Sequence, residues 1–577
     1  MNKSLLRLWG FFDQERRRKF YILIAVMVFA STVEIFSIGA VIPFLAVLTD
    51  PQRVFQYKEL GGILAALGFT DSSQIILPIT ILFITLSIFA CCIRLMLLRL
   101  NSKFIFDIGQ FLGCHVFNKI INQPFELHIT RNSSEIISLL SVKINSVIYS
   151  IVMTSINIIS ASIMLFFILF GLLYINFLVT ACSIIFFGVF YFGAVSLSKR
   201  KLYSNSVIIN KATTDIVKVM QESVGGIRDI LIDKSQETFN EKFRINNKKL
   251  RAAQSTNSFI SSSPRFVVEG IGIIVIATSA YILSGGNNEA NVIPILGLLA
   301  LSAQKILPLL QQIYASTTEF KGNTNSLNEI NEVLSYKLVN TKSMRLDHDN
   351  IDFNDEIKFI NASYSYPNGT VNVLTDLNIT IKKGDRIGVI GQTGSGKSTF
   401  LDLLMGLLNT SFGAFTVDGK RIDNKNSNMW QDHIAHVPQF IYLIDGTVFE
   451  NIAFGVEREN IDFERIKKVC AISMLEDVVN GLTDGLNAQV GERGVNLSGG
   501  QIQRIGIARA LYKNSNVIIF DEATSSLDES TESKIMENIY SMNEKITLIM
   551  VSHRPSTLNK CNRIFSVVKG RIVEKTK

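Results

Sequence analysis

The octapeptide GQTGSGKS, Gly391 to Ser398, has the residue types and spacing of a phosphate cradle. It follows the apolar, strand-like RIGVI and precedes the helical pattern TFLDLLMGLL, the strand, loop and helix context that such a loop requires. Gly391, Gly394 and Gly396, with Ser395 among them, let backbone N–H groups close around phosphates at the positive end of a helix. Lys397 can reach the outer phosphates, and the hydroxyl of Ser398, next to Thr399, can bind Mg2+. Further on, VIIFDE (517–522) is a buried-strand pattern ending in two carboxylates. Asp521 can hold the magnesium shell while Glu522 polarises an attacking water, the division of labour that phosphoryl transfer needs. Between the two motifs LSGGQ, Leu497 to Gln501, opens the helical pattern IQRIGIARALY. Ser498, Gly499 and Gly500 there form a second anion-accepting helix start. One domain needs only one phosphate loop, so a second implies a site shared between two chains.

With LSGGQ the chain resembles the ATP-binding-cassette family, whose signature is this pentapeptide. The other family motifs follow in order around the phosphate loop: Tyr366 in SYSYP, Gln439 in VPQ, GERG at 491–494, Asp528 in SSLD and His553 in VSHR. The resemblance implies that Tyr366 stacks on adenine, that Gln439 senses magnesium and the attacking water, and that Asp528 and His553 are the D-loop and switch residues. It also implies that each ATP is sandwiched between the phosphate loop of one domain and Ser498 to Gln501 of its partner. A homodimer would then hold two hydrolytic sites, each taking ATP and Mg2+.

The elements that must carry these residues divide the chain unevenly. Its 577 residues allow two or three domains, and a mean hydropathy of +0.29 with 39 phenylalanines is too apolar for a cytosolic enzyme. The apolarity lies before about residue 320, in segments near 20–48, 75–98, 147–174, 177–197, 266–284 and 292–315, each close to or above the length that crosses a bilayer. The fold expected is a polytopic α-helical membrane domain of six spans (1–317), a linker (318–354) and an α/β P-loop ATPase domain of the ABC type (355–577). Arg16 to Lys19 and a long basic segment between spans four and five, against an SGGNNEAN loop at 284–291 without Lys or Arg, put both termini in the cytosol of a bacterial inner membrane. The net charge of +8 is explained by this orientation, so no nucleic-acid partner is expected. The N-terminus reads as a retained anchor. Six cysteines without CxxC pairing are expected as reduced thiols.

Two cytosolic connections, 99–146 and 198–265, are long and helix-prone. Each is punctuated, at PFELHITRNSSE (124–135) and ESVGGIRDILIDKSQ (222–236), and in the first Asn132 followed by Glu135 reads as a helix cap. By resemblance these corners are the family's coupling helices. Outside the membrane, Tyr57 to Phe69 has the spacing of a short amphipathic helix.

Substrate choice rests on weaker signals. EIFSIGAVIPFLAVLTDPQ (34–52), RNSSE, GGIRDI and SSSPRFVVEG resemble the lipid-linked-oligosaccharide flippases of the PglK type. That resemblance implies a polyprenyl-diphosphate-linked glycan, with basic cavity residues attracting its diphosphate. Arg94, Arg265, Lys305 and Glu34 are the candidates within the spans, each costly in lipid unless it faces protein, water or ligand. Arg265 and Glu269, four apart on one helix, can equally pair with each other, and Arg94 can snorkel. Export of lipid A, a drug or a peptide, or a membrane-tethered regulatory ATPase that moves nothing, are the alternatives.

Overall fold

In a computed structural model of the chain, the described residues are 3–41, 44, 76–175, 177–284, 292–336, 351–367, 369, 371–542, 545–552, 554 and 558–575. The external helix expected over 57–69, the 284–291 loop apart from Ser284, and His553 lie outside them. The chain divides into two compact units, Met1–Asn122 with Arg131–Lys337, and Gln123–Thr130 with Leu338–Lys577.

The first unit is helical. Among the described residues, three helices are long and apolar enough to cross a membrane, Gln14–Ser37, Ile76–Ile121 and Ser133–Gly171. The fourth to sixth apolar segments fall in the helices Phe177–Gly225, Gln236–Ser284 and Val292–Gly322. Ile76–Ile121 has 46 residues, about 69 Å at 1.5 Å per residue, more than twice a hydrocarbon core of roughly 30 Å. Its side chains divide accordingly. Leu77, Ile81 and Leu95 near its start are exposed, as lipid-facing residues must be, whereas Ile108, Leu112 and Val116 near its end are buried in a protein core. The expected extension of the spans beyond the membrane is therefore visible as a change from outward to inward apolar packing.

That core also includes the stretch read as linker. The helix Thr324–Ser335 buries Leu327, Ile330, Val333 and Leu334 in it, so the first unit runs to Lys337. Polar residues lock it in place. Glu329 receives hydrogen bonds from Lys143 Nζ and Asn210 Nδ2, both at 2.6 Å, and Asn331 Nδ2 donates to the Ser4 carbonyl. Asn132 caps the helix Ser133–Ser138, accepting from the Ser134 N–H and not from Glu135, which the sequence suggested as its capping-box partner and whose N–H goes to the Asn132 carbonyl. Above that cap the helical ladder is interrupted by two π-helical turns, Leu139–Lys143 and Ile148–Met153. Cys91, Cys92, Cys114, Cys470 and Cys561 are free thiols.

The second unit is built on two sheets. Strands β1 (Glu356–Tyr364), β2 (Leu374–Lys382), β4 (Phe412–Val417) and β5 (Lys420–Arg421) form an antiparallel sheet in the order β2-β1-β4-β5. The larger sheet has the order β10-β9-β3-β8-β7-β6, from β3 (Arg386–Gly391), β6 (Ile434–Val437), β7 (Val517–Asp521), β8 (Thr547–Val551), β9 (Arg563–Val568) and β10 (Arg571–Lys575). All its neighbours pair in parallel except β10 with β9. Parallel strands buried on both faces need continuous apolar runs, and β8, TLIMV, is buried at every position. Between the sheets Trp430, Phe353, Phe400 and Phe415 share one core, with the Trp430 indole N–H donating to the Leu404 carbonyl at 2.7 Å. The corner residues 123–130 belong to this unit because the helix Phe125–Thr130 packs Phe125 against the same core.

Phe400 is fully buried in that core. Phe400→Ala should cost the ATPase unit about 3 to 5 kcal/mol, lowering the midpoint of a denaturant transition followed through Trp430 fluorescence. An unchanged midpoint would contradict the packing described.

Candidate nucleotide site

Strand β3 ends at Gly391, and the helix Lys397–Leu404 begins six residues later. The turn between them needs glycine at both ends. A Cβ on Gly391 would lie 2.6 Å from the Val567 carbonyl oxygen, and Gly396 caps the helix at φ +107°, a conformation other residues rarely adopt. Lys397 is nine-tenths buried, and its ammonium donates to the carbonyls of Gly391 at 2.7 Å and Gln392 at 3.2 Å. The charge is thus held inside the loop, where phosphate oxygens would replace the carbonyls. Ser395 Oγ is buried without a hydrogen-bond partner. An orphaned hydroxyl inside a glycine cradle fits a phosphate, and the exposed Ser398 hydroxyl beside it is a hard oxygen donor of the kind Mg2+ takes.

The two carboxylates stand where β7 ends. Asp521 closes the strand, and burial, then the neighbouring Glu522, push its carboxyl up, with Lys397 opposing. Glu522 has φ +50°, a left-handed conformation that is uncommon for a non-glycine residue and costs roughly 1 to 3 kcal/mol. Its N–H donates to the Val551 carbonyl of β8, which fixes the turn, and its carboxylate accepts from Gln439 Nε2 at 2.8 Å. The glutamine follows β6, so the sheet edge brings together residues 83 apart in sequence.

Tyr366 is partly buried, edge-on to Tyr364 at 5.1 Å, and its hydroxyl shares a hydrogen bond with Thr399 Oγ1 at 3.2 Å. The expected adenine-stacking ring thus rests on the phosphate-loop helix. Ser498 and Gln501 form a reciprocal capping box on the helix Gly499–Tyr512. Gln501 N–H donates to Ser498 Oγ, and Ser498 N–H donates to Gln501 Oε1. The N–H groups of Gly499 and Gly500 stay available at this helix start. Asp528 serves as an N-cap in its own chain. Its carboxylate accepts from Ser530 Oγ and Thr531 N–H at the start of the helix Glu529–Met542, and these bonds hold it well below the usual carboxylate range.

Three residues that the motifs did not single out hold this arrangement. Gln503, on the signature helix, donates to Ser525 Oγ and accepts from the Ser526 N–H, tying that helix to the segment before Asp528. Arg554, beside His553, binds the carbonyls of Ser525 and Leu527 and the buried carboxylate of Glu532. Asp402, on the phosphate-loop helix, has its carboxyl pushed up to about 6 by burial and by Asp521. Gln503 lies two residues past LSGGQ, Arg554 lies in VSHR, and Asp402 follows GKST by three residues. Their neighbourhood was legible, but their partners come from other strands.

Of the candidate substrate residues, Arg94 pairs with Glu34, which is buried. Arg265 Nε lies 2.6 Å from Glu269 Oε1, both half-exposed. The alternative reading of Arg265 as an intrahelical partner is thus the geometry observed. The Lys305 side chain lies outside the described residues.

The family model described as the ABC transporter transmembrane region matches residues 20–309, and the ABC transporter model matches residues 374–525. Among curated relatives, an ATP-dependent lipid A-core flippase of Methylobacillus flagellatus is 29% identical over 385 residues, 65% of this chain and 63% of that protein. An uncharacterized ABC transporter ATP-binding protein of Bacillus subtilis, YwjA, is 28% identical over 386 residues, 65% of each. The chain thus matches a little under two thirds of the length of these relatives. A solved structure of a bacterial Atm1-family ABC exporter with ATP bound superposes with a TM-score of 0.78 over 98% of this chain and 96% of that one, at 18% identity, a likeness of fold. With the transmembrane-region model covering half of the chain and the second model spanning the phosphate loop to Ser525, the chain belongs to the ABC transporters and joins their membrane region to their ATPase domain in one polypeptide.

Proposed function

We propose that the chain is an ATP-driven flippase or exporter that works as a homodimer in a bacterial inner membrane, with both termini cytosolic. The observation that carries the reading is the sheet edge on which Lys397, Asp521 and the Gln439–Glu522 hydrogen bond meet, in a chain whose other unit exposes lipid-facing helices. Lys397 and the loop N–H groups bind the β- and γ-phosphates of ATP. Ser398, Asp521 and Gln439 would hold Mg2+, which neutralises charge on the phosphate oxygens. Glu522, positioned by Gln439, orients a water for in-line attack on the γ-phosphorus. The P–O bond to ADP breaks as phosphate leaves. His553 is the switch residue by resemblance to the family, and Tyr366 stacks on adenine. Ser498, Gly499, Gly500 and Gln501, with Asp528, complete the site on the partner subunit's nucleotide.

The cargo favoured is a polyprenyl-diphosphate-linked oligosaccharide, supported by the span-one, corner and span-five phrases. A lipid A-type cargo is the second reading, favoured by what the Methylobacillus flagellatus relative is named for. The charge pairs Arg94–Glu34 and Arg265–Glu269 leave little net positive charge for a diphosphate at those positions. Lys305 therefore carries most of the expected attraction.

Glu522→Gln should keep ATP binding and lower turnover at least a hundredfold, with ATP-bound dimers accumulating. Wild-type hydrolysis by the purified variant would remove the water-orienting role. Mixing Lys397→Ala subunits with Ser498→Arg subunits leaves one intact composite site in the mixed dimer. ATP-dependent closure, read by cross-linking, should return in the mixture and be absent from either variant alone.

Asp402 yields a pH prediction. Its folded value is raised from 3.8 to about 6, so its neutral form favours the fold. That contribution is complete below 3.8 and is lost as pH rises through about 6. Asp402→Asn keeps a neutral isostere, and should match the wild type in stability near pH 3 and exceed it by about 3 kcal/mol above pH 7. Parallel stability curves across that range would refute the burial assigned to this carboxyl.

The cargo is tested by ATPase stimulation in proteoliposomes. A polyprenyl-diphosphate oligosaccharide should raise turnover several-fold. Stimulation by lipid A instead would favour the second reading, and stimulation by neither would favour a regulatory ATPase.

A further inference from the structure

At the cytosolic ends of the third to sixth apolar segments the helical unit lines a half-open chamber of about 570 Å³, within the range of roughly 300 to 1,000 Å³ usual for small-ligand sites. Its walls are polar but almost uncharged. The lining charges are Lys143, whose ammonium is bound to Glu329, and Glu319, whose carboxylate accepts from Ser150 Oγ at 3.0 Å. Such a wall offers a phosphate no unpaired cation. It offers a hydroxylated molecule many neutral donors and acceptors.

Three features show that the chamber is more than a solvated gap between helices. Asn210 is 5% exposed and lines it, and its Oδ1 has no hydrogen-bond partner although its Nδ2 is bound to Glu329. A buried carbonyl left unpaired is destabilising unless a ligand or water satisfies it. Among the described residues, Asn257, partly exposed, and Gln254, exposed, offer the chamber amide N–H groups with no protein acceptor, while their oxygens accept from Asn205 and Arg251. Finally, both π-helical turns supply lining residues, Lys143 from one and Tyr149 and Ser150 from the other. Such turns are frequent at functional sites, where they displace side chains from the regular helical register. Tyr149, half-exposed, presents an aromatic ring beside these amides.

The helix Gln236–Ser284 contributes Gln254, Asn257, Ser258 and Ser261 at helical spacing, and the same face continues to Arg265 and Glu269. These last two line a separate, smaller cavity of about 90 Å³ with Tyr191 and Gln311. A polar track thus leads from the chamber toward the membrane-level charge pair.

We propose that this chamber binds the sugar portion of the cargo, a neutral polyhydroxylated headgroup, through its amides, its hydroxyls and the face of Tyr149. The proposal rests on the lipid-linked glycan reading and goes beyond it, because it assigns recognition to the sugar and not to the diphosphate. Hydroxyl groups both donate and accept, so a sugar satisfies Asn210 Oδ1 and the free amide donors together. Its C–H faces pack on an aromatic ring.

The test uses the full-length dimer in proteoliposomes, with two probes: a polyprenyl diphosphate carrying a neutral oligosaccharide and the same polyprenyl diphosphate without sugar. The concentration for half-maximal ATPase stimulation should be at least tenfold lower for the glycosylated probe. Tyr149→Leu and the chamber-filling Ser258→Trp should each abolish about tenfold of that advantage and leave the response to the bare probe unchanged. Tyr149→Trp, which keeps an aromatic face, should restore it. As a check independent of turnover, maleimide labelling of Ser258→Cys, followed on the peptide carrying that residue, should be slowed by the glycosylated probe and not by the bare one. Equal responses of the wild type to both probes, or an intact sugar advantage in both chamber variants, would overturn the chamber proposal while the lipid-linked reading stands. No response to either probe would overturn both.

Discussion

Parallel pairing of β3, β8, β7 and β6 is the constraint on which the nucleotide site depends. Because the four strands run the same way, their carboxyl ends lie along one edge, where ligands bind in open α/β sheets. The phosphate loop leaves β3, Asp521 and Glu522 close β7, and Gln439 follows β6. The bond from the Glu522 N–H to the Val551 carbonyl holds that residue in its left-handed turn, and Gln439 then reaches its carboxylate across one strand spacing. Antiparallel pairing at any of these positions would send one of the groups to the opposite edge.

From that edge the site is extended by hydrogen bonds between segments distant in sequence. Gln503 joins the signature helix to Ser525 and Ser526, and Arg554 joins the segment after β8 to Ser525, Leu527 and Glu532. The start of the signature helix and the stretch leading to Asp528 are therefore tied to the strand that carries Glu522. Glu532 is buried, and a buried carboxylate of this kind is tolerable only with such partners, here Arg554 and the Thr524 hydroxyl.

In the helical unit the same economy governs charge. Glu34 is buried and pairs with Arg94, Arg265 pairs with Glu269, and Lys143 pairs with Glu329. Around the chamber, what remains unpaired among the described residues is neutral: an amide oxygen, two amide nitrogens and a set of hydroxyls. Low-dielectric surroundings make an isolated charge far more costly than an unpaired amide. A ligand-binding surface at the membrane margin can therefore keep neutral groups waiting for a partner, where it could not keep charges.

The sequence by itself determined the nucleotide chemistry and the division of the chain. A phosphate loop depends on contiguous residues, so GQTGSGKS, VIIFDE and LSGGQ each declare their function locally, and long apolar runs declare membrane helices in the same way. The helix at Ser133 was legible for the same reason, since Asn132 caps it within two residues. Pairings across the chain were decided only by the tertiary structure. The Gln439–Glu522 bond depends on strand order, Gln503 acts through residues more than twenty positions away, and the burial that raises Asp402 is contributed by its neighbours in space. The stretch read as linker became part of the helical core because Leu327, Ile330, Val333 and Leu334 meet an apolar surface that other helices supply. Arg265 shows the boundary most clearly: its sequence allowed either a ligand contact or a pair with Glu269 one turn away. The choice belonged to the geometry, because rotamer and neighbouring packing, not spacing, decide which partner a long side chain reaches.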